Sequence, residues 1–429
     1  MKRIALFLFI TLFIAKTYAQ AEPANYRVAI AKFKSFYNGN QVDSIFKMFS
    51  PEMKNILPLQ TFKPTTAQLK EQYGELQTTE FVSYTGSIAV YKATFKGSIF
   101  LLNLSLSDKN TLNGLFLTPY KGETGAPQEA VDPDVTESPI LQKTLTGQIA
   151  GTLTMPANVS GKIPVVLIVG DAGPTDRDGN NEKTGITCGP YKTLAHDLAK
   201  KGIASVRYDK RLVGQSMSVT KESQLRIDDY SDDAVTLIGI LDDDPRFSKL
   251  VLFGHGEGAL VSMIASIGQP VRGFIAAECA SEQGDKILMD EMKSKPSYQA
   301  DEVKAILDSL RKGKLTDNVD PAIYNIAGPK KQNYLMSWCR LVPTRGMKGL
   351  KVPALVIQGT ADLVVTADNG EKLKKAKSDA LYLPIKGMNH IFKDAPADPD
   401  QNMANYTKED VPLSAALVPG IVDFVNKVK

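Results

Sequence analysis

The chain has 429 residues with 43% hydrophobic and 23% charged residues and a formal net charge of +4, ordinary values for about two globular domains. Lys2, Arg3 and Lys16 account for most of that excess, and the rest of the chain carries +1, its basic residues scattered among acids. Such a distribution offers no electrostatic footprint for nucleic acid or an acidic membrane.

The N-terminus reads as an export signal. Lys2 and Arg3 precede an apolar run from Ile4 to Ala15, and the small residues Thr17 and Ala19 fit a signal-peptidase site. The run is shorter than the roughly 20 residues of a membrane span, so residues 1–19 are expected to be removed. The mature protein then begins near Gln20, secreted or periplasmic and without a stable membrane anchor. The three cysteines, Cys188, Cys279 and Cys339, make no disulfide framework. Cys279 and Cys339 sit in apolar stretches and read as buried thiols. Neither cysteines nor histidines fall at metal-ligand spacing, and no metal or organic cofactor is implied.

Residues 20–120 read as a small α+β domain. Helical signals cover Asn25–Tyr37 and Val42–Phe49, the latter apolar at Val42, Ile45, Phe46 and Phe49 and stopped by Ser50-Pro51. Thr66–Tyr73 is a further helical stretch. β-rich runs follow at Phe81–Tyr84, Ser87–Phe95, Ser98–Leu104 and Asn113–Tyr120. Residues 121–140, with two glycines, three prolines and few apolar side chains, read as a linker. From residue 141 to 429 the pattern is α/β. A hairpin-like pair at Leu145–Met155 and Ile163–Gly170 leads into alternating helices and short apolar strands, which specifies a mostly parallel sheet with helices on both faces. Extra helical sequence over about 282–347 is read as a lid insertion.

Three segments carry the chemistry. In Leu250–Gly258 an apolar strand meets a helix through Gly254-His255-Gly256-Glu257-Gly258. This is the spacing of a nucleophile elbow with glycine at the nucleophile position. Asp362 follows the strand Ala354–Gln358, and His390 follows the strand Leu381–Ile385. Nucleophile position, acid, histidine is the chain order of a hydrolase triad, in which Asp362 orients His390 as general base. The same elbow satisfies a dinucleotide fingerprint, Gly254-x-Gly256-x-x-Ala259, with Glu278 about 20 residues on at the place of the ribose-binding acid. Against that, the strand comes late in its domain rather than opening it.

Pro174–Asn180, Gly202–Arg211, Gly254–Gly258, Ser337-Trp338, Gln358-Gly359-Thr360 and Gly387–His390 together resemble bacterial secreted α/β-hydrolases of the carboxylesterase and dienelactone-hydrolase type. The resemblance implies the α/β-hydrolase fold over nearly all of Leu141–Lys429. Phe49–Met53 and Leu69–Gly74 resemble a small domain of unknown function found ahead of such hydrolases, similar to the cone-shaped fold of nuclear transport factor 2. Against the family pattern Gly-His-Ser-Glu-Gly, Gly256 replaces the serine. The loop expected to supply an oxyanion-hole N–H reads Gly170-Asp171-Ala172-Gly173 instead of Ala-Gly-Ser-Gly, and an ionised Asp171 there would repel an oxyanion. Leu212 stands for a glycine and Val342 for an aspartate. The pocket is therefore expected around Gly170, Asp171, Ala172, His255 and Glu257, with His390, Asp362 and the vacant position Gly256 as the catalytic remnant. The resulting expectation is an esterase-related protein with impaired catalysis that binds a small ester-, peptide- or glycan-type ligand. The alternatives are hydrolysis by water activated by His390–Asp362, with Asp171 as nucleophile or second base, and an envelope interaction or assembly role. The sequence leaves the oligomeric state open.

Overall fold

The computed structural model describes residues 22–85, 88–119, 132–396 and 398–429. The segment read as an export signal and most of the stretch read as linker lie outside them. The chain divides into two compact units, before and after residue 130.

In the first unit four helices precede a four-stranded antiparallel meander. The helices are α1 (Ala24–Asn38), α2 (Val42–Met48), α3 (Pro51–Ile56) and α4 (Leu59–Tyr73). The strands are β1 (Leu76–Thr85), β2 (Ile88–Phe95), β3 (Ile99–Leu106) and β4 (Leu112–Pro119), paired in that order. Helical spacing puts Tyr26, Ile30, Phe33 and Tyr37 on the buried face of α1, and strand alternation buries Ala89, Tyr91, Ala93 and Phe95 of β2 against them. Ser50-Pro51 both follows the end of α2 and starts α3. The Ser50 hydroxyl accepts the Met53 N–H at 3.1 Å, and Pro51 occupies the first helical position, where no N–H is needed. Helix α4 begins at Leu59, earlier than the expected Thr66, and carries Pro64 inside it.

The second unit is built on nine strands: β5 (Val135–Thr144), β6 (Gly147–Pro156), β7 (Ile163–Val169), β8 (Ala204–Tyr208), β9 (Met217–Ser218), β10 (Phe247–His255), β11 (Gly273–Ala277), β12 (Ala354–Gly359) and β13 (Leu381–Ile385). Their spatial order is β13-β12-β11-β10-β7-β8-β6-β5, with β9 beside β6. The six strands from β13 through β8 run parallel, and the β5–β6 hairpin joins antiparallel. β7, β10, β11 and β12 are buried almost throughout, as strands covered on both faces must be. Helix α5 (Pro190–Ala199) and the C-terminal helix Leu417–Lys427 cover one face. α6 (Ile227–Asp242), α7 (Glu257–Ala265) and the helices Pro343–Gly349 and Asp368–Ala376 cover the other.

Two boundaries and the burial of one cysteine differ from the sequence reading. β5 starts at Val135, inside the stretch read as linker. It is an outer strand with an exposed face, where Pro139 costs no ladder bond to a further strand. The insertion between β11 and β12 has its own small core, with Val303, Ile306, Leu307 and Leu335, but Pro343–Gly349 sends Met347 into the main core and belongs to the sheet layer. Cys188 and Cys279 are buried thiols, whereas Cys339 is only half-buried; all three are free.

Candidate active site

The site forms where β7, β10, β12 and β13 end. β10 finishes at His255, Gly256 turns the chain with φ 53° and ψ −119°, and α7 starts at Glu257. The flanking glycines are required by close approach: a Cβ on Gly254 would lie 2.3 Å from the Ala259 Cα, and one on Gly258 would lie 2.2 Å from the Val169 carbonyl oxygen. Neither backbone neighbour can yield. The turn thus keeps the sharp strand-to-helix geometry of an elbow.

Asp171, just past β7, occupies the space over Gly256. A Cβ on Gly256 would lie 1.9 Å from Asp171 Oδ1 and 2.4 Å from its Cγ. The carboxylate is held at both oxygens. Oδ1 accepts the Glu257 N–H at 2.8 Å, and Oδ2 pairs with His390 Nε2 at 3.0 Å. On its other side His390 Nδ1 pairs with Asp362 Oδ2 at 2.9 Å. Asp362 Oδ1 accepts the N–H groups of Val364 and Val365 at 2.7 and 2.9 Å. One imidazole therefore bridges two carboxylates.

The electrostatics follow from that bridge. Burial opposes charge on His390, but the Asp362 carboxylate and the hydrogen bonds from Asp171 and Asp362 outweigh it and hold the imidazolium well above the usual histidine range. Burial likewise opposes charge on Asp171, yet the hydrogen bond and charge of His390 hold its carboxyl well below the usual range. Asp362 is held low in the same sense, burial being outweighed by His390. His255 is pushed the other way, down to about 4, by burial and by the charge of His390; their rings lie 4.6 Å apart.

The residues expected to stabilise an oxyanion are otherwise engaged. The Asp171 N–H donates to the Tyr191 hydroxyl at 3.0 Å, and the Glu257 N–H is taken by Asp171 itself. The Ala172 carbonyl accepts from Thr175 and Asn181, and a Cβ at Gly170 would meet the Tyr191 ring at 3.2 Å. The Glu257 side chain turns away to Lys210 Nζ at 3.2 Å and to the Tyr334 hydroxyl, which the insertion supplies.

Sequence reasoning missed three contributors. Tyr191 bridges the Asp171 N–H and His255 Nδ1. Lys210 donates to the Asp171 carbonyl oxygen at 2.9 Å as well as to Glu257, tying the loop to the elbow; its place in the Gly202–Arg211 motif was the available signal. Glu278, with φ 49°, is fully buried behind Asp362. Its Oε1 accepts the Gly359 N–H at 2.7 Å and its other oxygen contacts Gln358 Nε2. Burial and the neighbouring Asp362 push Glu278 well above the usual carboxylate range, which favours its neutral form. A residue so enclosed cannot reach a ribose. The dinucleotide reading of Gly254-x-Gly256-x-x-Ala259 is therefore wrong: the glycines serve strand–helix contact instead.

Residues 184–298 match the family described as serine aminopeptidase, S33. With the elbow at the end of β10, the acid past β12 and the histidine past β13, that match decides the assignment. The C-terminal unit is an α/β-hydrolase domain. Residues 31–115 match a separate domain family of unknown function, DUF3887. The chain is similar to the esterase EstD of Thermotoga maritima, 25% identical over 374 residues that cover 84% of this chain and 86% of the relative. Solved structures that resemble the hydrolase domain include Est1E from Butyrivibrio proteoclasticus with ferulic acid bound, at 14% identity, TM-score 0.45, and coverage of 67% of this chain and 96% of the other. Another is a thermophilic esterase from Thermogutta terrifontis, at 16% identity, TM-score 0.41, and coverage of 68% and 98%. In this hydrolase domain the acid and histidine stand in triad order, and a carboxylate from the neighbouring loop stands where the serine side chain would project.

Proposed function

We propose that this protein derives from carboxylic-ester hydrolases, has lost acyl-enzyme chemistry, and uses the old pocket to bind a small ester-, peptide- or glycan-type ligand after export from the cytoplasm. The observation that carries the reading is the Asp171 carboxylate over Gly256. One oxygen takes the elbow N–H and the other takes His390 Nε2, the two groups that an esterase presents to the oxyanion and to the nucleophile. The side chain thus stands in for a bound carboxylate product. Loss of a triad nucleophile costs on the order of a million-fold in turnover, and here the hole that supplies residual catalysis is filled too. The similarity to EstD supports an ester-type ligand class.

Direct activation of water by His390 is less favoured. Its Nε2 is committed to Asp171, and the two flanking carboxylates favour the protonated ring, which is no base. Asp171 as nucleophile meets the same objection, because both its oxygens are bound.

The purified mature protein is expected to hydrolyse p-nitrophenyl butyrate no faster than the buffer does. Saturable turnover abolished by His390→Ala would overturn this reading in favour of activated water. For export, N-terminal sequencing of the protein from its native host is expected to begin near Gln20. Among the described residues no helix is long and apolar enough to cross a membrane.

A further inference from the structure

We propose that Asp171, His255 and His390 form a binding site for one divalent transition-metal ion of the zinc class. The three side chains come from three separate segments, past β7, at the end of β10 and past β13. One ligand atom from each lies within 4.8 Å of the others. This convergence is invisible in the linear spacing of the histidines.

Two features distinguish the cluster from an ordinary buried ion pair. Each histidine is oriented through Nδ1 by a partner of its own: Asp362 at 2.9 Å for His390 and the Tyr191 hydroxyl at 2.7 Å for His255. The His255 Nε2 is thereby left for the shared centre, and the His390 Nε2 faces it through its bond to Asp171. Metal-binding histidines are held in this manner, with one ring N–H donated to a carboxylate, carbonyl or water oxygen and the other nitrogen on the ion; for His255 the Tyr191 hydroxyl oxygen would take that place. The second feature is independent of the first. His255 is 2% exposed, and its Nε2 makes no hydrogen bond of normal geometry, although buried polar atoms are almost always satisfied. An ion at this centre would satisfy it.

The spacing of one ligand pair and the chemistry of all three agree with that occupant. His390 Nε2 and Asp171 Oδ2 are 3.0 Å apart, and two ligands at zinc bond lengths in tetrahedral geometry stand roughly 3.3 Å apart. The ion would take the place of the proton now shared by those two atoms and release it to solvent. Two imidazole nitrogens and one carboxylate oxygen suit Zn²⁺ or Co²⁺ rather than Mg²⁺ or Ca²⁺, which prefer all-oxygen sites. The inference stands on this geometry and not on the loss of serine chemistry, so its test uses no ester.

The full mature chain, stripped with chelator and dialysed, is titrated with ZnSO₄ by calorimetry and with CoCl₂ by visible absorption. One ion per chain is expected, with visible Co²⁺ absorption from a site of four or five ligands. His255→Gln and Asp171→Asn are each expected to weaken binding about 100-fold or more, beyond what loss of an orienting partner does. His196→Gln, which changes the remaining histidine, a half-exposed partner of Glu137, is expected to bind as the native chain does. Circular dichroism confirms that each variant is folded. Absence of stoichiometric binding, or binding that both His255→Gln and Asp171→Asn leave unchanged, would overturn the proposal whether or not the protein proves to be an esterase.

Discussion

At the scale of single residues, Asp171 and Gly256 form one unit. Asp171 Oδ1 fills the space that any side chain at 256 needs, and a glycine at 256 is what gives the carboxylate room. The bridge it makes through His390 has a pH signature in the metal-free protein. His390 has a folded pKa above its unfolded value near 6.5, so its contribution is complete below that pH and is lost as pH rises through the folded pKa. Asp171 and Asp362 have folded values below their unfolded ones, so theirs is complete above about pH 4 and is lost as pH falls through the folded pKa. Stability from this cluster is therefore greatest between about pH 4 and 6.5. Asp171→Asn removes one of the two charges facing His390. Because Asp171 keeps 23% of its side chain exposed, the expected loss at pH 6 is about 1–3 kcal/mol in urea unfolding, below that of a fully buried pair. The His390 ring resonances should titrate at lower pH in the variant. A midpoint equal to that of the native protein would disconnect Asp171 from His390.

Among the elements, the loop after β8 carries a legible strain. Leu212 stands where the family pattern has glycine, and it adopts φ 63°. A left-handed conformation costs a non-glycine residue about 1–2 kcal/mol, and glycine gives back part of the gain as unfolded-chain entropy. Leu212→Gly is accordingly expected to raise stability by about 0.5–1 kcal/mol; a decrease would mean that the leucine side chain earns its place by packing. In the first unit the Ser50 cap of α3 predicts a loss of about 1 kcal/mol for Ser50→Ala, by the same unfolding measurement. The sequence disclosed these elements unevenly. The Gly254–Gly258 elbow, Asp362 and His390 were legible because a strand end fixes where the next residue stands, so chain order carries the geometry. Asp171 was legible as an intruder in the loop but not as the occupant of the serine space, because that depends on how two loops meet across the sheet. Glu278 misled for the same reason: distance along the chain matched a ribose-binding acid, while folding buried it behind Asp362. Pro139 hid β5, since a proline in a polar stretch reads as linker unless the strand is known to lie at an edge.

Across the whole molecule, two units with separate cores share one chain, and the proposed chemistry lies wholly in the second. Its sheet brings the ends of β7, β10, β12 and β13 together, so a change in the loop after β7 can answer a change at the elbow. Replacement of the nucleophile alone is then not reversible by one step, because Asp171 blocks the space. The most direct test is hydrolysis of p-nitrophenyl acetate by the native protein, Gly256→Ser and the pair Gly256→Ser/Asp171→Gly. The native protein and the single variant are expected to remain at background, and the double variant to gain about 1,000-fold or more, a fraction of what an intact triad supplies. Full activity in Gly256→Ser alone, with Asp171 unchanged, would contradict the claim that Asp171 has taken the serine's place.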